Sequence, residues 1–485
     1  MLWMLLLWAC EGPPAHTAEA SASRARGRVL RVSVGPVSSA HDLAISVGPV
    51  QPQETVHVAW SAVGPGAGPC PPALGGACLG LQSARYLGVA TVDLSGWGSL
   101  TLPPQPLPGG VSSVWVQAVL VDADGEVHLS DLAERTVRAP GEVHPGDLVL
   151  SSVADLAAAR DVVAVEGDVV VEATGLEEVE LLALEEVGGS VRVWENEALE
   201  LWRAPLLRTV GRDLSLYDNP ALPTVGELTS LVEVGGTLSV HRMAAVEGLD
   251  LPALRDVGAL YLFHDLALID VDGLAALETV AGAAELWELY ALQRLQLPSL
   301  RQVQGRLDVF EADELGVIDL PLLEQVGGLE LHECDGLVDL GELPSLVAID
   351  NALTLKYCSS LATVEGLSSL QTAGSVEVEH LPSLASLPLP ALEQVDGAVV
   401  VVASGVRELG LWGLVSAGSV EVRNLAALHD LGLESLLDVG GVVVRGNEAL
   451  SHCEVESWLE EVSFTAVSCG GNLEDGCSVW CEGAP

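Results

Sequence analysis

Residues 210–222 read VGRDLSLYDNPAL, and residues 187–199 read VGGSVRVWENEAL. Laid one over the other, they share a Val-Gly corner, an alternating triplet, a bulky ring, an acid, an asparagine and a closing leucine. The triplet Leu214-Ser215-Leu216 buries its first and third side chains and exposes its second, which is the period of a strand. Marking the first inward residue of each such triplet gives Val169, Val191, Leu214, Leu238, Leu260, Ala284, Leu307, Leu329, Leu353, Val376, Val399, Val420 and Val442, with spacings between 21 and 24. A fixed period of that size is the signature of a stacked array. The half-repeat between triplets, LPALRDV at 251–257 and LPSLRQV at 297–303, places proline where a helix would lose a hydrogen bond. It is also too short for several helical turns. The return path is therefore extended or turn-like. The expected fold is all-β, a right-handed parallel β-helix of about thirteen rungs over residues 146–450, with a continuous ladder of Leu and Val inside and rungs about 4.8 Å apart.

The corners Val187-Gly188-Gly189, Val234-Gly235-Gly236 and Val326-Gly327-Gly328, the inward triplet, and Asn196, Asn219 or Asn447 at the turn give a rung that resembles the receptor L-domain. That repeat is found in growth-factor-receptor ectodomains and fungal cell-wall glycoproteins. Leucine-rich repeats are a close cousin, sharing the core seen at Leu214 to Leu222. The resemblance implies a solenoid of binding type. It does not carry receptor signalling, because the array is a single run with no cysteine-rich spacer between lobes and no kinase.

The flanks differ in character. Residues 1–10, MLWMLLLWAC, are too short an apolar run to span a bilayer and read as a signal segment. The end of that run, Leu7, Trp8, Ala9 and Cys10, resembles a bacterial lipoprotein signal, which implies lipidation of Cys10 and anchoring at the outer membrane or cell surface. A plain secretory signal, giving a periplasmic or secreted chain, and a buried N-terminal strand are the other readings. Residues 11–27, rich in Ala, Ser, Pro and Gly, form a tether. Across 28–140, runs such as ETVHVAW and VSSVWVQAVLV alternate with Pro/Gly turns, the pattern of an immunoglobulin-like β-sandwich. Asp122-Ala123-Asp124-Gly125 is its hairpin turn; the other ligands of a calcium loop are absent. At 451–485 the period breaks, and SHCEVESWLEEV offers a serine N-cap and a short helix, a cap for the open end of the array.

Nine cysteines in an exported chain suggest disulfides. Cys70 and Cys78 bracket a Pro/Gly loop, and Cys453, Cys469, Cys477 and Cys481 crowd the C-terminus. A zinc site from the last four would need short paired gaps that they lack. Cys334 and Cys358 fall in the asparagine column one rung apart, and serve equally as a disulfide or as two buried thiols filling the turn.

With 68 acidic and 21 basic residues the formal charge is −47, a field that repels nucleic acid and anionic membranes. The single lysine, Lys356, leaves little room for Schiff-base chemistry. No nucleophile elbow, zincin helix or nucleotide loop is present, and neither metal nor cofactor is expected. The informative signal is a column. Three residues after each marker stand Glu172, Trp194, Tyr217, His241, Phe263, Trp287, Phe310, His332, Lys356 and Glu379. Seven consecutive rungs from Trp194 to His332 carry a ring, a strip of about 29 Å at the rung spacing, and Glu195, Asp218, His264, Glu288, Glu311 and Glu333 edge it. Either the rings stack rung on rung to stabilise the sheet, or they form a recognition face for a protein or glycan. The expected function is accordingly a non-catalytic binding protein of the cell envelope, with Trp194, Tyr217, His241, Phe263, Trp287, Phe310 and His332 as ligand contacts. A structural envelope protein without a ligand and a hydrolase built on acidic residues are the alternatives.

Overall fold

The structure, a computed structural model, describes residues 30–477 apart from 35–42, 49, 51–53, 71–76, 93–97, 103–110, 112, 123–125 and 137–141. The signal segment with Cys10, the tether, the tip of the 122–125 turn and Cys481 lie outside the described residues. The chain divides into two compact units, one of Met1–Asp147 with Asp161–Asp168 and Glu186–Gly189, the other of Leu148–Arg160, Val169–Glu185 and Ser190–Pro485.

The first unit is built on antiparallel pairing. Its central strand Thr55–Ser61 lies between Arg85–Val92 and Ser113–Val121. Alternating residues Val56, Val58, Val114 and Val116 are fully buried, with Trp60 beside them, so the period-2 pattern does place one face on a core. Cys70 and Cys78 form a disulfide.

The second unit is an all-β parallel solenoid of about 14 turns with few helices. Each of the thirteen inward markers pairs with the next in register, from Val169 opposite Val191 to Val420 opposite Val442. The register is pinned because a slip of one residue would turn the whole Leu/Val ladder out to solvent. The marker side chains and the partners two residues on, such as Leu262, Val309 and Val378, are almost wholly excluded from water. Return paths are extended pieces, among them Arg294–Gln296 paired with Val317–Asp319, or single 3-10 turns such as Asp272–Leu274. The glycine corners bring backbone onto backbone. A Cβ at Gly258 would sit 2.5 Å from the carbonyl oxygen of Gly236, and one at Gly327 only 2.4 Å from that of Gln304.

The asparagine column explains how the turns close. The Asn219 amide donates to the carbonyls of Val193 (2.7 Å) and Tyr217 (3.1 Å), while its oxygen accepts from the Asn196 amide and backbone N–H. Cys334 and Cys358, disulfide candidates from their spacing, are free buried thiols. Each thiol faces the equivalent pair of carbonyls, Val309 and His332 for Cys334, Leu331 and Lys356 for Cys358. The S–H group thus replaces the asparagine amide as a weaker donor in the same cradle. Asp265 occupies this column with no exposure: its Oδ1 accepts from the Met243 N–H, its Oδ2 has no partner, and burial pushes its carboxyl up to about 7. The residue before this column turns the corner in the left-handed region, at φ 51° in Asp218, 55° in Glu288 and 53° in Glu311, although none is glycine.

At the C-terminus the serine cap is as expected: the Ser451 hydroxyl accepts from the Glu454 N–H at the start of the helix His452–Leu459. The expected break in period is corrected. The strand Ser463–Gly470 follows the helix and rejoins the ladder, with Val467 opposite Val442, so the helix takes the place of the return path within that rung. Cys453 and Cys477 form a disulfide across it, and Cys469 is also disulfide-bonded, which leaves those thiols unable to serve as zinc ligands. No helix among the described residues is long and apolar enough to cross a membrane.

Candidate functional site

The seven predicted ring residues do share one face. Each ends the outer side of its strand and lies directly opposite the next, Tyr217 against His241, Phe263 against Trp287, Phe310 against His332. Ring centroids are 5.0 Å apart for Tyr217 and His241, 5.5 Å for His241 and Phe263, 4.8 Å for Phe263 and Trp287, and 6.3 Å for the next two steps. They tilt or meet edge to face, the geometry aromatic quadrupoles favour. In consequence the rings cover each other and are half-buried instead of standing free. Burial, with Arg242 and His264 nearby, holds the His241 imidazole below its ordinary value.

The neighbouring outward column carries the chemistry. It runs Tyr261, Glu285, Asp308, Glu330, Thr354 and Glu377, each opposite the next. Three consecutive carboxylates at rung spacing would repel, and Arg306 is the residue that holds them together. Its Nε and Nη2 donate to Glu285 Oε1 at 3.2 and 2.7 Å, Nε lies 3.5 Å from Asp308 Oδ2, and Nη1 lies 4.0 Å from Glu330 Oε2. The guanidinium also stands 5.6 Å from the Trp287 ring, a cation–π contact. Trp287 Nε1 donates to Asp308 Oδ2 at 3.0 Å.

Asp308 is the residue on which these contacts converge. It is only 5% exposed, and Oδ1 has no hydrogen-bond partner. Burial raises its pKa, against the opposing pull of Arg306. Ligand atoms of Asp308, Glu330 and His332 all lie within 4.8 Å of one another. Ring strip and acidic column therefore meet at rungs Ala284 to Leu329, with Trp287, Phe310 and His332 on one side and Glu285, Asp308 and Glu330 on the other.

Sequence reasoning found the rings and missed this column. The signal was present one residue after each inward marker, but a carboxylate in a chain with 68 of them carries no contrast. Lys356, whose single occurrence drew attention, is held by Glu377 at 2.9 Å and Glu379 at 3.6 Å.

No protein-family model and no curated protein matches this chain. Among solved structures it is compared with two pectate lyases. One is Pel3 from Pectobacterium carotovorum, at 8% identity over 92% of both chains with a TM-score of 0.17. The other is PelI from Erwinia chrysanthemi, at 6% identity over 93% of this chain and 92% of that one, also with a TM-score of 0.17. Both are enzymes, which goes against the expectation of a non-catalytic envelope binding protein and against its corollary that the chain is no enzyme; that reading is withdrawn. At this identity and TM-score neither lends the chain a substrate or a catalytic residue.

Proposed function

We propose that the chain is a hydrolase whose acidic centre is Asp308 and Glu330, acting on an extended neutral or cationic glycan laid along the ring strip. The observation that carries this reading is the meeting of the two columns: a buried carboxylate with a vacant acceptor atom, a second carboxylate one rung away, and flat rings running past both. In this reading Asp308 and Glu330 orient and activate a water molecule. Arg306 fixes their positions and pairs with Glu285, and Trp287 and Phe310 offer faces on which sugar rings stack. The formal charge of −47 favours a neutral or amino-bearing polymer over a polyanion.

The receptor-L-domain likeness of the rung, export, lipidation at Cys10 and a spacer role for the immunoglobulin-like domain belong to the same proposal. Two disulfides, Cys70–Cys78 and Cys453–Cys477, support an oxidising compartment. Intact-mass measurement of membrane-extracted protein checks the lipid on Cys10.

The test of hydrolysis is reducing-end release from a panel of neutral and amino-sugar polysaccharides. Asp308→Asn and Glu330→Gln are each expected to lower turnover by roughly 100-fold or more at unchanged melting temperature, while Glu377→Gln, two rungs away in the same column, leaves it intact. Equal activity in all four proteins overturns the assignment.

A further inference from the structure

We propose that Asp308, Glu330 and His332 bind one divalent transition-metal ion, with zinc the first choice and manganese the second. This deepens the hydrolytic reading and takes its location from it, although binding itself needs no turnover.

Three observations converge. First, the donor set is preformed by the ladder: Asp308 sits on the strand Gln302–Phe310, and Glu330 and His332 are two apart on the paired strand Gln325–His332, so all three project from one face. One imidazole nitrogen and two carboxylate oxygens within 4.8 Å of each other suit a small ion with two- to three-point protein ligation. Second, Asp308 Oδ1 is buried and has no hydrogen-bond partner. Such an atom is costly to leave bare. Its sister Oδ2 is held by Trp287 Nε1 at 3.0 Å, the kind of outer contact that orients a ligating carboxylate. Third, the charges balance: three carboxylates, Glu285, Asp308 and Glu330, surround a single guanidinium, leaving two negative charges for a dication.

Among the described residues, the two other clusters of metal-binding residue types do not meet these conditions. Cys453 and Cys477, beside Asp475, are joined in a disulfide. Near His128, both Asp122 oxygens are already occupied, Oδ1 by the Glu126 N–H and Oδ2 by the imidazole.

With three protein ligands, a fourth position stays open for water, and the ion would acidify that water next to the ring strip. The experiment is calorimetric titration of the chelator-stripped, full-length protein with zinc chloride and then manganese chloride, in excess magnesium to fill loose carboxylate sites. One equivalent of zinc is expected. His332→Gln and Glu330→Gln are each expected to weaken binding at least roughly 10-fold, and His128→Gln to leave it unchanged. Binding that persists in folded His332→Gln and Glu330→Gln protein overturns the site, as does the absence of a stoichiometric event. Should a variant fail to fold, the wild-type protein still decides: zinc must protect His332 from diethyl pyrocarbonate, read by peptide mass spectrometry, and lack of protection overturns the proposal. Zinc bound at His332 without turnover of any glycan removes the hydrolytic reading and keeps the metal site. Turnover that survives full chelation, together with no stoichiometric zinc event in the titration, keeps the hydrolytic reading and removes the metal site.

Discussion

Rungs Leu214 to Leu329 and rungs Val376 to Val442 have the same backbone, the same register and the same inward Leu/Val ladder, yet their outer faces have little in common. In the first stretch the third outward column is Tyr217, His241, Phe263, Trp287, Phe310 and His332; in the second it is Glu379, Val402, Arg423 and Arg445. The neighbouring outward column changes too, from Ser215, Ser239, Tyr261, Glu285, Asp308 and Glu330 to Glu377, Val400, Glu421 and Val443, so that three carboxylates follow one another in the first stretch and never two in the second. Inward positions are under one constraint everywhere, because the core is continuous. Outward positions are free to differ, so a local departure in them marks where the molecule does something besides stand up.

The largest effect that would sharpen this contrast comes from the turn column. Asp265 stands there in the ring-bearing stretch, two rungs from Asn219, whereas Asn447 holds the position at the end of the other. A buried carboxyl raised to about 7 in the folded chain and ordinary when unfolded contributes stability that is intact below pH ~4 and lost as the pH rises from ~4 to ~7. The span is on the order of 4 kcal/mol. Asp265→Asn is expected to abolish most of that pH dependence and to raise the melting temperature at pH 8 but not at pH 4, read by thermal denaturation at the two pH values. A wild-type protein equally stable at both would show that Asp265 does not feel its burial.

The buried core predicts equality in place of contrast. Leu262, on a strand of the first stretch, and Leu425, in the turn column of the second, are both fully buried, and Leu→Ala at either should cost about 3 kcal/mol. Chemical denaturation that found one of the pair nearly silent would break the claim of a uniform core.

The smallest effect concerns the rings. In a double-mutant cycle, Phe263→Ala with Trp287→Ala should show a coupling of about 1 kcal/mol for rings 4.8 Å apart. The equivalent pair Val402 and Arg423 should show none. A cycle that closes to zero at the rings would mean that the strip contributes nothing to the ladder and that its composition answers to a ligand alone.

The ladder was legible in the sequence because alternation at Leu214-Ser215-Leu216 and its copies is a strong signal with one physical cause. The rung at Val467 was not legible. Its inward pair is Val467 and Cys469, a weaker apolar mark, and the helix His452–Leu459 interrupts the stride before it. The state of Cys334 and Cys358 could not be read from spacing, since a thiol and a half-disulfide occupy the same column; what decides is the pair of carbonyls each thiol faces. The acidic centre was hidden for another reason. Arg306 lies outside the alternating triplet, at the irregular step between Val303 and Leu307, and only its folded position shows that Glu285, Asp308 and Glu330 are one group.

The closing of each turn on the rung before it has an evolutionary corollary. A chain that hands its pairing only to its immediate neighbours carries no memory of its total length, so duplication or loss of a whole stride leaves every remaining address intact. Lineages of such a molecule would vary in reach by integral steps, while a deletion of one or two residues inside a strand would be fatal. The outer columns would then be the only place where individual copies, once duplicated, could acquire separate histories.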